Sequence, residues 1–296
     1  MSTLATLLLT VAGVFLIAVA LRDVFDVLFH EMGRGVLSHT VIRAVWRLFL
    51  AFGRRRNGLR ALAGPMALIA VISSWALLLV VGWALIYWPR MPDAFNFSTG
   101  VGSESGLADA LYLSLVSLST LGFGDISPDA TGLRVITPLE ALIGLGLLSA
   151  SISWLLSVYP VLARRRSLAY EINLLVSAQG AIGTSVLELG APSAESIYSE
   201  LTSRIVAVER DMAALPVAYY FTEADDRFSL AAAMPALLDL AERGTDDALP
   251  ARVRLRAAML LEAIEDFAGT ARHFHGRGHG SPVGDVLEYY RLDHVR

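Results

Sequence analysis

The chain has 296 residues, 55% of them apolar and only 18% charged, and its mean hydropathy of +0.55 is hard to reconcile with an ordinary soluble domain. There is no cysteine, which excludes disulfides, thiolate metal sites and cysteine nucleophiles. All 24 basic residues are arginine, excluding lysine Schiff bases and phosphate-loop lysines, and the net charge of −4 divides into +4 over residues 1–166 and −8 over 167–296.

The first element is an uncharged apolar run from Leu4 to Leu21, long enough to cross a hydrocarbon core of roughly 30 Å as a helix. It has no basic N-terminal region and is followed by further spans, so it reads as a retained helix within residues 1–31 rather than a secretion signal. Residues 32–60 carry an amphipathic basic segment. Leu37, Val41, Val45, Leu48 and Phe52 fall on one helical face, with His39, Arg43, Arg47 and Arg54 opposite. Such a helix is expected on the inner membrane surface, with Arg43, Arg47, Arg54, Arg55 and Arg56 toward anionic lipids. None of these arginines has the regular spacing within an apolar run that a voltage sensor needs.

A second span is expected over 61–88, with Pro65 near its start and Tyr87 and Trp88 as interfacial anchors. A short helix follows over 107–119, Asp109 suiting its N-terminal dipole. A third span over 134–163 contains one charge inside its apolar run, Glu140, read either as snorkelling or locally hydrogen-bonded, or as bonding behind the loop before it. Arginines place the ends. Residues 22–60 hold eight and Arg164, Arg165 and Arg166 close the third span, whereas 89–131 holds only Arg90 among five acids. The N-terminus is therefore expected outside a cell (inner) membrane and residues 166–296 in the cytoplasm.

Between the short helix and the third span lies Ser-Thr-Leu-Gly-Phe-Gly-Asp, residues 119–125. Irregular backbone at membrane depth survives only when buried in protein or facing water, so this stretch reads as a re-entrant loop. Its glycines permit successive carbonyls to face one side, where rings of oxygens can replace the water shell of a cation. Here the sequence resembles the potassium channel superfamily, whose filter runs Thr-Val-Gly-Tyr-Gly. Thr120, Leu121, Gly122, Phe123 and Gly124 match position by position, and Asp125 matches the aspartate that usually follows. Leu for Val and Phe for Tyr are the departures. The resemblance covers roughly residues 60–165 and includes the Ser/Thr- and aromatic-containing pore helix with Tyr112, Ser114, Ser117 and Ser119.

The resemblance implies a homotetramer with one pore loop per chain and K+ held at Thr120, Leu121, Gly122 and Phe123. It implies filter support from Asp125, Tyr112, Ser119 and Glu140, and a gating hinge at Gly144 or Gly146. Pro160 is expected either to bend the inner helix at a constriction or simply to end it. Phe123 lacks the hydroxyl that would hold the loop taut, so a filter-closed state is expected to be readily reached; Phe-containing filters occur in two-pore and some voltage-gated members, and potassium selectivity is retained as the expectation.

Residues 166–296 read as a mainly helical acidic domain, with helices near 194–214, 228–243, 250–273 and 283–293. Ile197, Leu201, Ile205, Val208, Met212 and Leu215 form a near-heptad stripe, a core face or a subunit contact. There is no nucleotide-binding glycine motif after a strand. His273, His275 and His279 make either a solvated loop or a divalent site. The fold class is thus an all-α membrane protein, three transmembrane helices with a re-entrant pore helix and filter plus a mainly helical cytoplasmic domain. The expected function is a potassium-selective channel subunit, without enzymatic activity, nucleic-acid partner or cofactor beyond permeant K+. A weakly selective cation pore, or a membrane-anchored signalling or scaffold protein with a relic pore, are the alternatives.

Overall fold

The computed structural model describes residues 2–29, 35–53, 60–98, 106–275 and 281–295. Of the residues singled out above, Arg34, Arg54, Arg55, Arg56, Glu104, His279 and the side chains of Phe52 and His275 lie outside the described set. The helices are α1 (Thr3–Phe29), α2 (Val36–Gly53), α3 (Ala63–Tyr87), α4 (Leu107–Leu118), α5 (Thr131–Ile182), α6 (Ala191–Ala214), α7 (Leu230–Arg243), α8 (Ala251–His275) and α9 (Val283–His294). The strands β1 (Phe95–Phe97) and β2 (Ile126–Pro128) form a small antiparallel pair. This is an all-α membrane protein: α1, α3 with its short extension to Arg90, and α5 are each long and apolar enough to cross a bilayer. At 52 residues, about 78 Å at 1.5 Å per residue, α5 far exceeds one crossing.

Two compact units divide the chain, one of residues 1–44 and 68–156, the other of residues 45–67 and 157–296. The boundary thus falls at 157 rather than 166, and the second half of the basic segment groups with the C-terminal residues.

In the first unit, α1 and α3 cross where two glycines meet: a Cβ on Gly13 would collide with the Gly82 carbonyl oxygen. A buried carboxylate then fixes the start of α2. Asp23 of α1 accepts the N–H groups of Leu37 (2.9 Å) and Ser38 (3.1 Å), the Ser38 hydroxyl, and the indole N–H of Trp75 at 2.8 Å. Two of the orphan donors at the helix N-terminus are satisfied by a residue fourteen positions earlier rather than by a local cap. The face that α2 buries is Ser38, Ile42 and Trp46, while Leu37, Val41 and Val45 are half-buried and Leu48 exposed. The expected apolar face was off by one position, because Trp46 and Phe49 widen the stripe and a bulky aromatic takes the inward place.

In the second unit, the later part of α5 packs with α6 to α9. Helix α5 runs through Pro160 to Ile182, so the proline does not end it, in contrast to the expected limit at 163. Its cost of about 3 kcal/mol is offset by burial of Val158, Val161, Leu162, Leu168, Ala169 and Ile172 along one side. Within α6, Leu201, Ile205, Val208 and Met212 are buried, joined by Tyr198, whose hydroxyl donates to the Leu240 carbonyl at 2.9 Å. The three arginines after the apolar part of α5 are committed to this unit. Arg164 pairs with Asp211, Arg166 with Glu223, and buried Arg165 donates to the carbonyls of Ala218 and Phe221 and to Glu223.

Beside Arg165, Phe274 stacks on Tyr219, and the rings of Trp46, Tyr219 and Tyr290 pack on buried His294. The ring's Nε2 stands 2.6 Å from the Tyr219 carbonyl oxygen and its Nδ1 2.9 Å from that of Tyr290. Burial pushes its pKa down to about 4, with the Arg165 charge acting in the same direction against the two carbonyls and Asp293. A neutral folded imidazole that charges more easily when unfolded contributes stability above about pH 6.5 and loses it as pH falls toward 4. Unfolding of the detergent-solubilised chain should therefore become easier across that window, and His294→Gln should flatten the slope. An identical pH profile in wild type and variant would contradict this.

Candidate ion-conduction site

The site is built from the end of α4 and the seven residues after it. Helix α4 starts on Gly106, whose N–H is accepted by Asp109 at 3.4 Å, and buries Ala110, Leu113, Ser114 and Val116. At its C-terminus the loop N–H groups turn back onto the helix: Ser119 donates to Leu115 O, Thr120 to Ser117 O, and Leu121 and Gly122 both to Val116 O. The Ser119 hydroxyl donates to Val116 O. With the donors spent this way, the carbonyl oxygens of residues 120–124 accept no hydrogen bond among the described residues.

The backbone alternates in handedness. Thr120, Gly122 and Gly124 have φ of 60°, 54° and 76°, whereas Leu121 and Phe123 lie in the ordinary negative range. Glycine adopts this region without penalty, but the β-branched Thr120 costs about 1–3 kcal/mol there, strain of the kind found at functional sites. Residues 121–124 are exposed, including Leu121 at 61% and Phe123 at 64%.

Two braces hold the loop. At the loop's C-terminal end, the Tyr112 hydroxyl of α4 donates to Asp125 at 2.6 Å, while the Asp125 carbonyl accepts both the N–H and the hydroxyl of Ser98 at 2.9 Å. Strand β2 continues directly from there, pairing Ile126 with Phe97 and Pro128 with Phe95. Behind α4, Glu140 of α5 is wholly buried. Its two oxygens accept the Ser114 hydroxyl at 2.5 Å and the Tyr87 hydroxyl at 2.7 Å, so one carboxyl group joins α3, α4 and α5. Trp83, Tyr87, Phe95, Leu113, Ile126 and Leu133 pack around it.

Several sequence expectations take a definite place here. Tyr112, Ser119 and Asp125 lie in or against the loop, whereas Glu140 bonds to α3 and α4 rather than to the loop itself. Tyr87, expected as an interfacial anchor, is fully buried because its hydroxyl serves Glu140; Glu140 does not snorkel. Gly144 presses against the end of α4, where a Cβ would collide with the Leu118 carbonyl, while Gly146 faces open space. Both sit in uninterrupted helix. Pro160 belongs to the second unit. Arg43 and Arg47 are exposed on α2, and His273 is exposed near the end of α8. Among the described residues no three His, Asp or Glu side chains are grouped to hold a metal. The pairing of Tyr87 with Glu140 could have been sought in the sequence, since an intramembrane carboxylate requires donors and Tyr87 lies at the end of the neighbouring span.

Comparison with known proteins bears on the same region. Residues 71–159 match a family model described as "Ion channel". Relatives include "Two pore potassium channel c" of Oryza sativa subsp. japonica, 33% identical over 86 residues, and "Two-pore potassium channel 2" of Arabidopsis thaliana, 33% identical over 78 residues. Over this segment the chain is therefore similar to an ion channel family and to proteins named as two-pore potassium channels. A longer match, 26% identical over 164 residues, is to "Uncharacterized membrane protein YdjJ" of Bacillus subtilis (strain 168). These alignments cover 28%, 25% and 55% of this chain and span 18%, 16% and 47% of the relatives' own lengths, less than half in each case. No solved structure matches.

Because Glu140 joins α3, α4 and α5, Glu140→Ala should strand two buried hydroxyls and destabilise the detergent-solubilised protein by about 2–4 kcal/mol. Glu140→Gln, which keeps an acceptor, should cost less than half of that. An alanine variant as stable as wild type in denaturant titration would show that the carboxyl group holds nothing together.

Proposed function

We propose that the chain is a subunit of a homotetrameric potassium-selective channel in which Thr120, Leu121, Gly122, Phe123 and Gly124 form the filter. The observation that carries this reading is the loop's backbone: the N–H groups of residues 119–122 are spent on α4, the carbonyls of residues 120–124 have no partner among the described residues, and the φ values alternate in sign. Alternating handedness turns successive carbonyls toward one side. Four copies around an axis would then stack rings of oxygens able to replace the hydration shell of K+, and would cover the apolar Leu121 and Phe123 now exposed. A single chain cannot encircle an ion, and a four-fold ring is the arrangement by which filters of this kind do so, which supports a tetramer.

Arginine asymmetry supports an N-terminus outside and a C-terminal unit in the cytoplasm of a cell membrane, which puts Asp125 and Asp129 at an outer mouth where their charge concentrates cations. Conduction needs no catalytic group. Gly144 and Gly146 remain the places where α5 would flex, with Gly144 also setting how closely α5 approaches α4. Arg43 and Arg47 would meet anionic lipid headgroups at the inner surface. The relatives named as potassium channels support this reading for the pore.

In liposomes containing the purified protein, K+ flux should exceed Na+ flux by at least tenfold, and Gly122→Ala, which forces a side chain into the left-handed region at φ 54°, should abolish it. Equal K+ and Na+ flux would instead make this a weakly selective cation pore, and flux unchanged by Gly122→Ala would place conduction elsewhere.

A further inference from the structure

The C-terminal unit contains a feature that conduction does not use, an open cavity of about 400 Å³, within the size range of small-molecule sites. The later part of α5 and α7 form its sides, α6 its base, and the turn after α5 one end. Ile172, Leu201, Leu237 and Leu240 are buried beneath it, and half-buried Leu175 and Ala236 with exposed Val176 give the floor its accessible apolar surface. The turn is made by Gly183 at φ 65°, which brings Thr184 to Glu188 to the rim.

The polar groups at the rim differ in what they already hold. Asp239 and Arg243 pair with each other one helical turn apart on α7. Gln179 accepts the Val186 N–H through Oε1 at 3.0 Å, which leaves its amide N–H groups as donors. Glu188 uses only Oε2, which accepts the Ser185 N–H at 3.3 Å; its other oxygen has no partner among the described residues, and it makes no ion pair there. The net charge of Glu188, Asp239 and Arg243 is −1, and Glu188 carries the uncommitted share.

We propose that this cavity binds a small organic amine, its apolar body on the floor of Leu175, Val176 and Ala236 and its ammonium group at Glu188. The apolar floor selects a hydrocarbon body over a hydrated inorganic ion, and the unpaired carboxylate selects a cationic head over a neutral or anionic one. This site is independent of the channel reading, because every group in it belongs to the C-terminal unit.

The test uses the full-length protein in lipid nanodiscs with three probes that share one six-carbon chain: hexylamine, 1-hexanol and hexanoate. Binding is read by saturation-transfer NMR after subtraction of empty nanodiscs. Hexylamine should bind saturably and at least tenfold more tightly than either of the others, and Glu188→Gln should bring it close to hexanol. Gly180→Phe should remove binding of all three, since a side chain at Gly180 meets no atom within 4 Å and would occupy the mouth without strain. Ala236→Phe, on the opposite wall, serves as a second blocking variant should the first be poorly folded. The proposal is overturned if hexylamine does not bind saturably, if hexanoate binds as well as hexylamine, or if both blocking variants still bind hexylamine. Because no readout involves ion flux, loss of this site leaves the pore unaffected as a conclusion, and loss of the pore leaves the site.

Discussion

The structure depends on a backbone constraint: five successive carbonyl groups, those of residues 120–124, accept no hydrogen bond among the described residues at the end of a helix within a membrane protein. Unpaired carbonyls in an apolar layer cost several kcal/mol each, so the arrangement persists only if something else satisfies them and if the loop cannot relax. The N–H groups of residues 119–122 are anchored on α4, Asp125 is tied to Tyr112 and Ser98, and the short strand pair continues from Asp125 at once. The loop is thereby fixed at both ends, and the strain at Thr120 is carried by these attachments.

Both buried carboxylates of the first unit act as joints. Glu140 brings three helices together through two hydroxyl donors, and Asp23 brings α1, the start of α2 and α3 together through four. Each would be costly alone, and each is accommodated by donors from elements that would otherwise have only apolar contact. Apolar packing between membrane helices is weakly directional, since lipid tails compete with it on equal terms. Directed bonds to a carboxyl group define position in a way that leucine packing does not, and the glycine contacts at Gly13 with Gly82 and at Gly144 with Leu118 set how near the helices come.

Much of this was legible in the residues. Three apolar runs of sufficient length made the spans evident, and Thr-Leu-Gly-Phe-Gly-Asp between a short helix and a glycine-containing span marked the loop. What escaped the sequence was pairing over distance. Asp23 finds Trp75 fifty-two positions away, and Tyr87 finds Glu140 across fifty-three, separations at which periodicity carries no information. The buried face of α2 was misplaced because hydropathy identifies a stripe but not which edge of it is taken by protein. Helix α5 passes Pro160 because burial beyond the proline outweighs a local penalty that alone would argue for an end. In the C-terminal unit, helical segments were visible, but the packing of Trp46, Tyr219 and Tyr290 on His294 was not.

The most direct measurement is of the carbonyls themselves. With 13C at the backbone carbonyls of residues 120–124, solid-state NMR of the protein in bilayers should show resonances of Thr120, Leu121, Gly122 and Phe123 that shift when Na+ is replaced by K+, while those of α4 stay fixed. Carbonyl resonances indifferent to K+, with α4 and the Tyr112–Asp125 contact intact, would contradict the assignment of this loop as a potassium filter.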